Sequence, residues 1–182
     1  RQRQMCIRDS DKVICVTDSQ KYKRIAEQYG AYVPCLRPKN ISSKKSPDIE
    51  WVNWIMQKTI KNYFDIFSIL RPTNPLRDEF IIRKAFRKFI KSKCDSLRAV
   101  NLCKQHPYKM WRVKGNLIKP IFNNKNKTPW HSRQYAELPK IYEQNASLEI
   151  AWTRVLRKKI PTISGKRIIP FFSKNFEGFD IN

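Results

Sequence analysis

The chain has 182 residues, enough for one domain with its own hydrophobic core. Hydrophobic residues make up 41% and charged residues 29%, which excludes an intrinsically disordered protein. No apolar run is long enough to cross a bilayer, and no apolar block follows the basic start, so we predict a cytoplasmic protein without a membrane partner.

The charge balance keeps one alternative function open. Thirty-eight Lys and Arg against fifteen Asp and Glu give a formal net charge of +23, which attracts any polyanion. A basic nucleic-acid-binding module therefore stays as an alternative. The cations are spread along the whole chain, however, and the aromatic residues fall at core spacings, so nucleic acid is not the partner we favour.

Cysteine and histidine usage argues against structural metal and disulfide sites. The five cysteines are odd in number and no two are spaced as C-x-x-C. Only two histidines, His106 and His131, are present, which argues against a histidine-rich metal centre. We expect reduced, partly buried thiols.

Short apolar runs alternate with amphipathic segments in the first part of the chain. Residues 13–17 are predicted to form a buried strand, followed by a helix over residues 19–30 that Gly30 ends. Residues 31–36 are predicted to form a second strand. A second helix is expected to begin at residues 46–48, with Ser as N-cap, Pro in the first position and Asp in the first turn.

The same alternation continues to residue 103. Residues 64–70 are predicted to form a strand, Asp78 to cap a third helix, and residues 97–103 to form a further strand. Strands that alternate with helices predict an α/β fold with a mostly parallel sheet and helices on both faces.

The second half changes character. Residues 111–118 are predicted to form a hairpin around Gly115, and residues 141–152 and 168–172 to supply more strand. We expect this half to be a small mixed excursion from the main sheet. Residues 1–11 match no structural pattern and look non-native, so a single domain is predicted over residues 12–182.

The turn at residues 70–77, with the sequence LRPTNPLR, is the most informative segment. A strand ends there, two prolines fix the turn, and Arg71 and Arg77 bracket it. Because ligands collect at the carboxyl ends of parallel strands, the turn is a candidate site. The alternative is a rigid turn with solvated arginines.

Six short motifs follow one another along the chain. They are VTDS at 16–19, LRP at 36–38, LRPTNPLR at 70–77, HPYK at 106–109, R-Q…L-P…N over 133–145, and FDIN at 179–182. In this order they resemble the acylneuraminate cytidylyltransferases, the CMP-sialic acid synthetase family, with S-T-D-S, L-R-P, L-Q-P-T-S-P-L-R, H-P-x-K, R-Q-x-L-P…N-G-A and D-I-D. The resemblance covers residues 13–182, and the ordered set is far more specific than any one motif.

The resemblance implies a Rossmann-like nucleotidyltransferase sheet with a small mixed excursion that forms a homodimer. It implies that CTP reacts with the anomeric hydroxyl of an acidic nonulosonic sugar, with release of pyrophosphate and a requirement for magnesium. Positioning and electrostatics would supply most of the rate, with little covalent chemistry from the protein.

The resemblance also implies nine site residues. They are Asp18, Arg37 and Ser46 for the nucleotide, Arg71, Lys109, Arg133 and Asn145 for the sugar, and Asp180 and Asn182 for magnesium. Arg37 would contact the cytosine, and Lys109 and Arg133 would face the sugar carboxylate, as donors from the partner subunit.

Each of these roles has a simpler alternative. Asp18 could cap the helix that follows it, and Asn145 could be a strand-edge residue. Lys109 and Arg133 could be surface cations in a basic chain. Asp180 could belong to an unstructured tail.

The chain departs from the family pattern at four positions. Ala146 and Glu149 stand where the motif N-G-A-x-Y has Gly and Tyr, Arg71 replaces Gln, and Asn182 replaces the second Asp of D-I-D. These changes leave the sugar open, and a related 3-deoxy-ulosonic acid is an alternative substrate.

The glycine- and lysine-bearing loop with which family members begin has no counterpart here, nor does a final helix. We therefore expect these 182 residues alone to bind CTP weakly and to show little activity. A non-catalytic remnant that dimerises is the third hypothesis.

Overall fold

The computed structural model describes residues 12–59, 64–122, 128–157, 161–174 and 176–181. Residues 1–11, the predicted non-native start, lie outside this set. Among the described residues, no helix is long and apolar enough to cross a membrane.

Three α-helices and six strands occur in the described residues, at or near the predicted positions. The helices are α1 (Gln20–Gln28), α2 (Asp48–Thr59) and α3 (Glu79–Lys91), and the strands are β1 (Ile66–Ile69), β2 (Ser96–Leu102), β3 (Trp111–Lys114), β4 (Leu117–Pro120), β5 (Tyr142–Trp152) and β6 (Ile168–Phe172).

Local side-chain chemistry explains where two of the helices begin. The hydroxyl of Ser19 accepts a hydrogen bond from the Tyr22 amide at 3.4 Å and caps α1. The idea that Asp18 caps this helix is therefore wrong. Asp78 caps α3 as predicted, because its carboxylate accepts from the Ile81 amide at 2.8 Å.

The two strands predicted near the start of the chain pair only locally. Ile14 and Tyr32 form one parallel bridge, in which the Cys15 amide donates to the Tyr32 carbonyl at 3.0 Å. A further bond runs from the Arg37 amide to the Thr17 carbonyl at 2.8 Å, so the second segment stays beside the first up to Arg37.

The main sheet has the strand order β1-β5-β2-β6. β5 is antiparallel to both β1 and β2, whereas β6 is parallel to β2. The prediction of a mostly parallel sheet is therefore wrong for the described strands. β1 and β2 do run in the same direction, as a strand–helix–strand unit requires, but the long strand β5 lies between them in the opposite direction.

The core lies between α3 and one face of this sheet. Ile81, Ala85 and Phe89 on α3 pack against Leu97, Ala99, Leu148, Ile150 and Phe171 from β2, β5 and β6. α3 is the helix that contributes to this cluster, and the second helical layer stays a prediction.

β3 and β4 form a separate two-stranded sheet, which confirms the predicted hairpin. Gly115 has a φ of +60° in the tight turn that joins them, a conformation that glycine adopts without strain. Large apolar side chains of the hairpin are exposed, with Val113 at 69% and Leu117 at 70%.

The pairing between β5 and β2 contains an irregularity. Arg98 of β2 pairs with Glu149, whereas Val100 pairs with Gln144, so the register shifts across the intervening residues of β5. Ala146 lies in this shift with a φ of +55°. A side chain in the left-handed region is strained, and this is the position at which the family motif carries Gly.

We expect Ala146→Gly to stabilise the protein, because glycine adopts a positive φ without the steric cost of a Cβ atom. The gain should reach about 1 kcal/mol, or an increase in Tm of about 2–4 °C. Ala26→Gly, in the helix α1, is the matched control and should lower the Tm. Thermal unfolding followed by circular dichroism measures both, and a loss of stability in both variants would contradict the strain at Ala146.

Candidate functional site

The turn at residues 71–77 is fastened to the irregular part of β5. The carbonyl of Arg71 accepts from the Asn74 amide and from the guanidinium of Arg77, both at 3.3 Å. Arg77 also donates to the carbonyl of Ser147. The turn that follows β1 therefore lies against residues 145–149.

The last described segment, residues 176–181, packs on the same turn. Asn74, which is only 2% exposed, donates from Nδ2 to the Phe179 carbonyl at 3.0 Å. The Ile181 amide donates to the Thr73 carbonyl at 3.0 Å. Asp180 lies between Phe179 and Ile181, which make these two hydrogen bonds. Its exposed side chain is therefore beside the turn and is not part of an unstructured tail.

A glycine allows this segment to approach β5 and β2. A Cβ atom on Gly178 would lie 2.5 Å from Nδ2 of Asn145 and 2.7 Å from Nδ2 of Asn101, closer than real contacts permit. The segment that carries Asp180 therefore touches Asn145 directly.

The side chain of Asn145 is fully used within the protein. Its Nδ2 donates to Oδ1 of Asn101 at 2.9 Å and to Oγ of Ser173 at 2.8 Å. Its Oδ1 accepts from the Ser147 amide at 3.1 Å. Asn145 thus joins β5, β2 and the exit of β6.

Four charged side chains form a network on the sheet face opposite the core, which we call the Arg71 cluster: Asp48, Arg71, Arg98 and Glu149. Glu149 points away from the core because its neighbours Leu148 and Ile150 point into it. Arg71 pairs with Asp48, and its NH2 nitrogen lies 3.8 Å from Oε1 of Glu149. Arg98 contacts Oε2 of Glu149 at 3.1 Å.

Burial and hydrogen bonding shift the two carboxyl groups in opposite directions. Burial raises the pKa of Glu149, and the nearby charges of Arg98 and Arg71 only partly offset this. Neither of its carboxylate oxygens makes a hydrogen bond of good geometry within the described residues, which explains why desolvation dominates. Burial also acts on Asp48, but hydrogen bonds from Arg71 and Trp51 outweigh it and lower the pKa of Asp48.

An open cleft of about 310 Å³ lies beside this cluster. Asp48 and Arg98 contribute charged groups to its wall, and Thr162 and Ser164 contribute hydroxyls. The apolar part of the lining comes from Pro47, Ile49, Pro161 and Ile163. The charged wall and the hydroxyls make the cleft able to hold a polar ligand.

Lys109 and Arg133 lie together near the hairpin, in a setting rich in aromatic rings. The ammonium of Lys109 donates to the Arg133 carbonyl at 2.6 Å and to the His131 carbonyl at 3.2 Å. The guanidinium of Arg133 stacks 4.6 Å from the ring centre of Trp130. Within the described ranges, neither cation has a carboxylate partner, so both charges stay unneutralised.

The three residues predicted for the nucleotide lie in the first part of the chain. Nε of Arg37 donates to Oγ of Ser42 at 3.0 Å, and the hydroxyls of Ser43 and Ser46 are 3.0 Å apart. Asp18 is exposed. Ser46 lies two residues before Asp48, which links this loop to the Arg71 cluster.

The structure brings some of the predicted residues together and leaves others apart. Arg71, Asn145 and Asp180 are joined through the turn and the segment at 176–181. The described contacts do not join Lys109 and Arg133 to this group, and Asn182 lies outside the described residues. In that part of the chain no group of three or more His, Cys, Asp and Glu side chains could hold a metal ion.

Sequence reasoning missed the roles of Asp48, Arg98 and Glu149. Asp48 was interpreted only as a first-turn acid of α2, and Glu149 only as a departure from the family motif. A charged residue between two apolar positions of a strand was the available signal, because such a residue lies on the face opposite the core.

Comparison with known proteins gives two relatives. The chain is 35% identical to the N-acylneuraminate cytidylyltransferase of Escherichia coli over 79 residues, 43% of this chain and 18% of that protein. It is 30% identical to the CMP-N,N'-diacetyllegionaminic acid synthase of Legionella pneumophila over 146 residues, 78% of this chain and 60% of that protein. The chain thus spans less than two thirds of either relative, and no family model matches it.

The raised pKa of Glu149 predicts a specific pH dependence of stability. The folded state binds this proton more tightly than the unfolded state does. The resulting stabilisation is complete below the ordinary glutamate value of 4.5 and is lost as the pH rises through the raised pKa. Relative to Glu149→Gln, the free energy of unfolding of the wild type should therefore fall over this interval.

Urea denaturation at a series of pH values measures this difference. Glu143→Gln, at an exposed glutamate of the same strand, controls for the loss of one surface charge. If the free energy of unfolding of the wild type, relative to that of Glu149→Gln, stays constant or increases as the pH rises, the effect of burial on Glu149 is contradicted.

Proposed function

We propose that the chain belongs to the acylneuraminate cytidylyltransferase family and serves the transfer of a cytidine monophosphate group from CTP to an acidic nonulosonic sugar. The observation that carries the proposal is the meeting of three motifs that are distant in sequence. The turn at 71–77, Asn145 and the segment with Asp180 contact one another through Asn74, Thr73 and Gly178.

The sugar carboxylate is assigned to Lys109 and Arg133. Both keep an unmatched positive charge within the described ranges, and Arg133 is held in place by stacking on Trp130. A lysine supplies a point charge and an arginine a planar fork, which together suit a carboxylate. As the resemblance to the family implies, each subunit's Lys109 and Arg133 would contact the sugar bound in the partner subunit.

A homodimer fits the exposed hairpin. Val113 and Leu117 leave most of their apolar surface open to solvent, and burial of such surface favours association. We assign this hairpin to the contact between two copies of the chain, which would also bring Lys109 and Arg133 close to the partner's turn.

Magnesium is assigned to Asp180. Mg²⁺ is usually bound by one or two carboxylates together with substrate phosphates and water, so a single exposed carboxylate beside the turn fits it. When bound, the ion neutralises phosphate charge. The protein's own contribution is to hold Asp180 in place through the bonds from Asn74 and Ile181.

The cytosine end is assigned to Arg37, Ser46 and Asp18. The Arg37 guanidinium is held by Ser42, whose hydroxyl donates to the Pro38 carbonyl at 2.8 Å. This arrangement keeps the guanidinium fork oriented for the carbonyl oxygen of a base. The covalent chemistry belongs to the substrates, since the sugar hydroxyl attacks the α-phosphorus and pyrophosphate leaves.

Binding of the product tests the proposal directly and does not depend on turnover. We expect the chain to bind CMP-N-acetylneuraminic acid more tightly than CMP, by calorimetric titration. Lys109→Gln should weaken this binding about tenfold or more through loss of a charge-assisted contact, whereas binding of CMP should change little.

Lys84→Gln, at an exposed lysine of α3, is the matched control and should bind as the wild type does. Equal affinity for CMP and the CMP-sugar would contradict the proposal. So would a preference for single-stranded or duplex DNA that weakens steeply with salt, which would favour nucleic-acid binding instead.

A further inference from the structure

Two of the four departures from the family motifs touch each other in the structure. Arg71 stands where the motif has Gln, and Glu149 stands where it has Tyr. The NH2 nitrogen of Arg71 lies 3.8 Å from Oε1 of Glu149, although the two residues are 78 positions apart in sequence. A positive charge gained at one position therefore meets a negative charge gained at the other.

The charges of the Arg71 cluster balance within the protein. Arg71 faces Asp48 and Oε1 of Glu149, and Arg98 contacts Oε2 of Glu149 at 3.1 Å. With both carboxyl groups ionised, two cations match two anions. The Glu149 side chain is only 5% exposed, so these pairs are poorly screened by solvent and removal of one partner leaves an uncompensated charge.

The cluster also joins three separate pieces of the chain. Asp48 lies in the first turn of α2, Arg71 at the exit of β1, and Glu149 in the middle of β5, where it is the cross-strand partner of Ile69. The guanidinium of Arg71 thus connects the loop that ends at Ser46 to the turn at 71–77.

We propose that Arg71 and Glu149 are a matched pair of positioning residues: Glu149 holds the guanidinium of Arg71 within the protein, and the substrate carboxylate is therefore bound elsewhere. The second half of this statement rests on the proposed function. Lys109 and Arg133, which no acidic partner faces within the described ranges, are the cations that the proposed function assigns to the carboxylate. Arg71 then sets the position of the turn and of the start of α2.

A double-mutant cycle on stability tests the pair without any ligand. Arg71→Gln should lower the Tm by roughly 5–10 °C, because it leaves the buried carboxylate of Glu149 without one of its partners, whereas Glu149→Gln should change the Tm less, because it also removes the cost of burying a carboxylate. The double variant should melt above the value expected from adding the two single shifts, since the uncompensated charge of Glu149 is then removed. Additive shifts would overturn the pair.

The partly exposed pair of Arg83 and Glu79 on α3, with side chains 39% and 23% exposed and an N–O distance of 2.7 Å, is the matched control. Its two single variants to Gln should change the Tm little and its cycle should show little coupling, because solvent screens surface pairs. A coupling as large in this control as at Arg71 and Glu149 would overturn the claim that burial makes the pair special.

A second measurement tests where the carboxylate goes. The affinities for N-acetylneuraminic acid and its methyl ester, titrated by NMR, give a preference for the acid. Arg71→Gln should keep this preference within about twofold, whereas Lys109→Gln should reduce it about tenfold. Loss of the preference in Arg71→Gln would overturn the proposal. A wild type that does not distinguish acid from ester would count against the proposed function, while the melting cycle would still decide the pair.

Discussion

The structure depends on one long strand that runs against its neighbours. β5 lies between β1 and β2 and places Leu148 and Ile150 in the core, while Glu149 between them points to the opposite face. The alternation of a strand thus separates a packed apolar layer from a charged one within three residues. Residues 145–147 interrupt the pairing with β2, and this interruption receives Arg77 and Gly178.

The need to pair buried polar groups explains the arrangement of the candidate site. A buried carboxyl group is costly, and each oxygen of Glu149 lies near one guanidinium group, Oε1 near Arg71 and Oε2 near Arg98. The side-chain amide of Asn145 donates hydrogen bonds to Asn101 and Ser173, which fixes the backbone around Ala146. The motifs that resemble those of the family therefore serve first to assemble the site, and a ligand would meet a prearranged surface.

Periodicity and capping residues predicted the local structure well, because these signals depend on neighbours in sequence. Asp78 caps α3 as predicted, and the hairpin turns at Gly115, whereas the cap of α1 is Ser19 and not Asp18. The direction and order of the strands could not be predicted in this way. The placement of β5 between β1 and β2 is set by pairings between residues that are 40 to 86 positions apart, and no local pattern distinguishes a parallel from an antiparallel neighbour.

The candidate site was predictable to a similar degree. The ordered motifs pointed to Arg71, Asn145 and Asp180, and the turn does join their neighbourhoods. The roles of Asp48 and Arg98 could not be predicted, because they follow from the fold of the chain around Glu149. The family pattern marked Glu149 as a departure but gave no partner for it.

Hydrogen–deuterium exchange with and without CMP-N-acetylneuraminic acid tests the central claim, that the turn, the irregular part of β5 and the last described segment form one binding site. We predict slower exchange on binding in peptides that cover residues 71–77, 145–149 and 176–181, in all three together. Slower exchange confined to other basic regions of the chain, or in only one of the three segments, would contradict the claim.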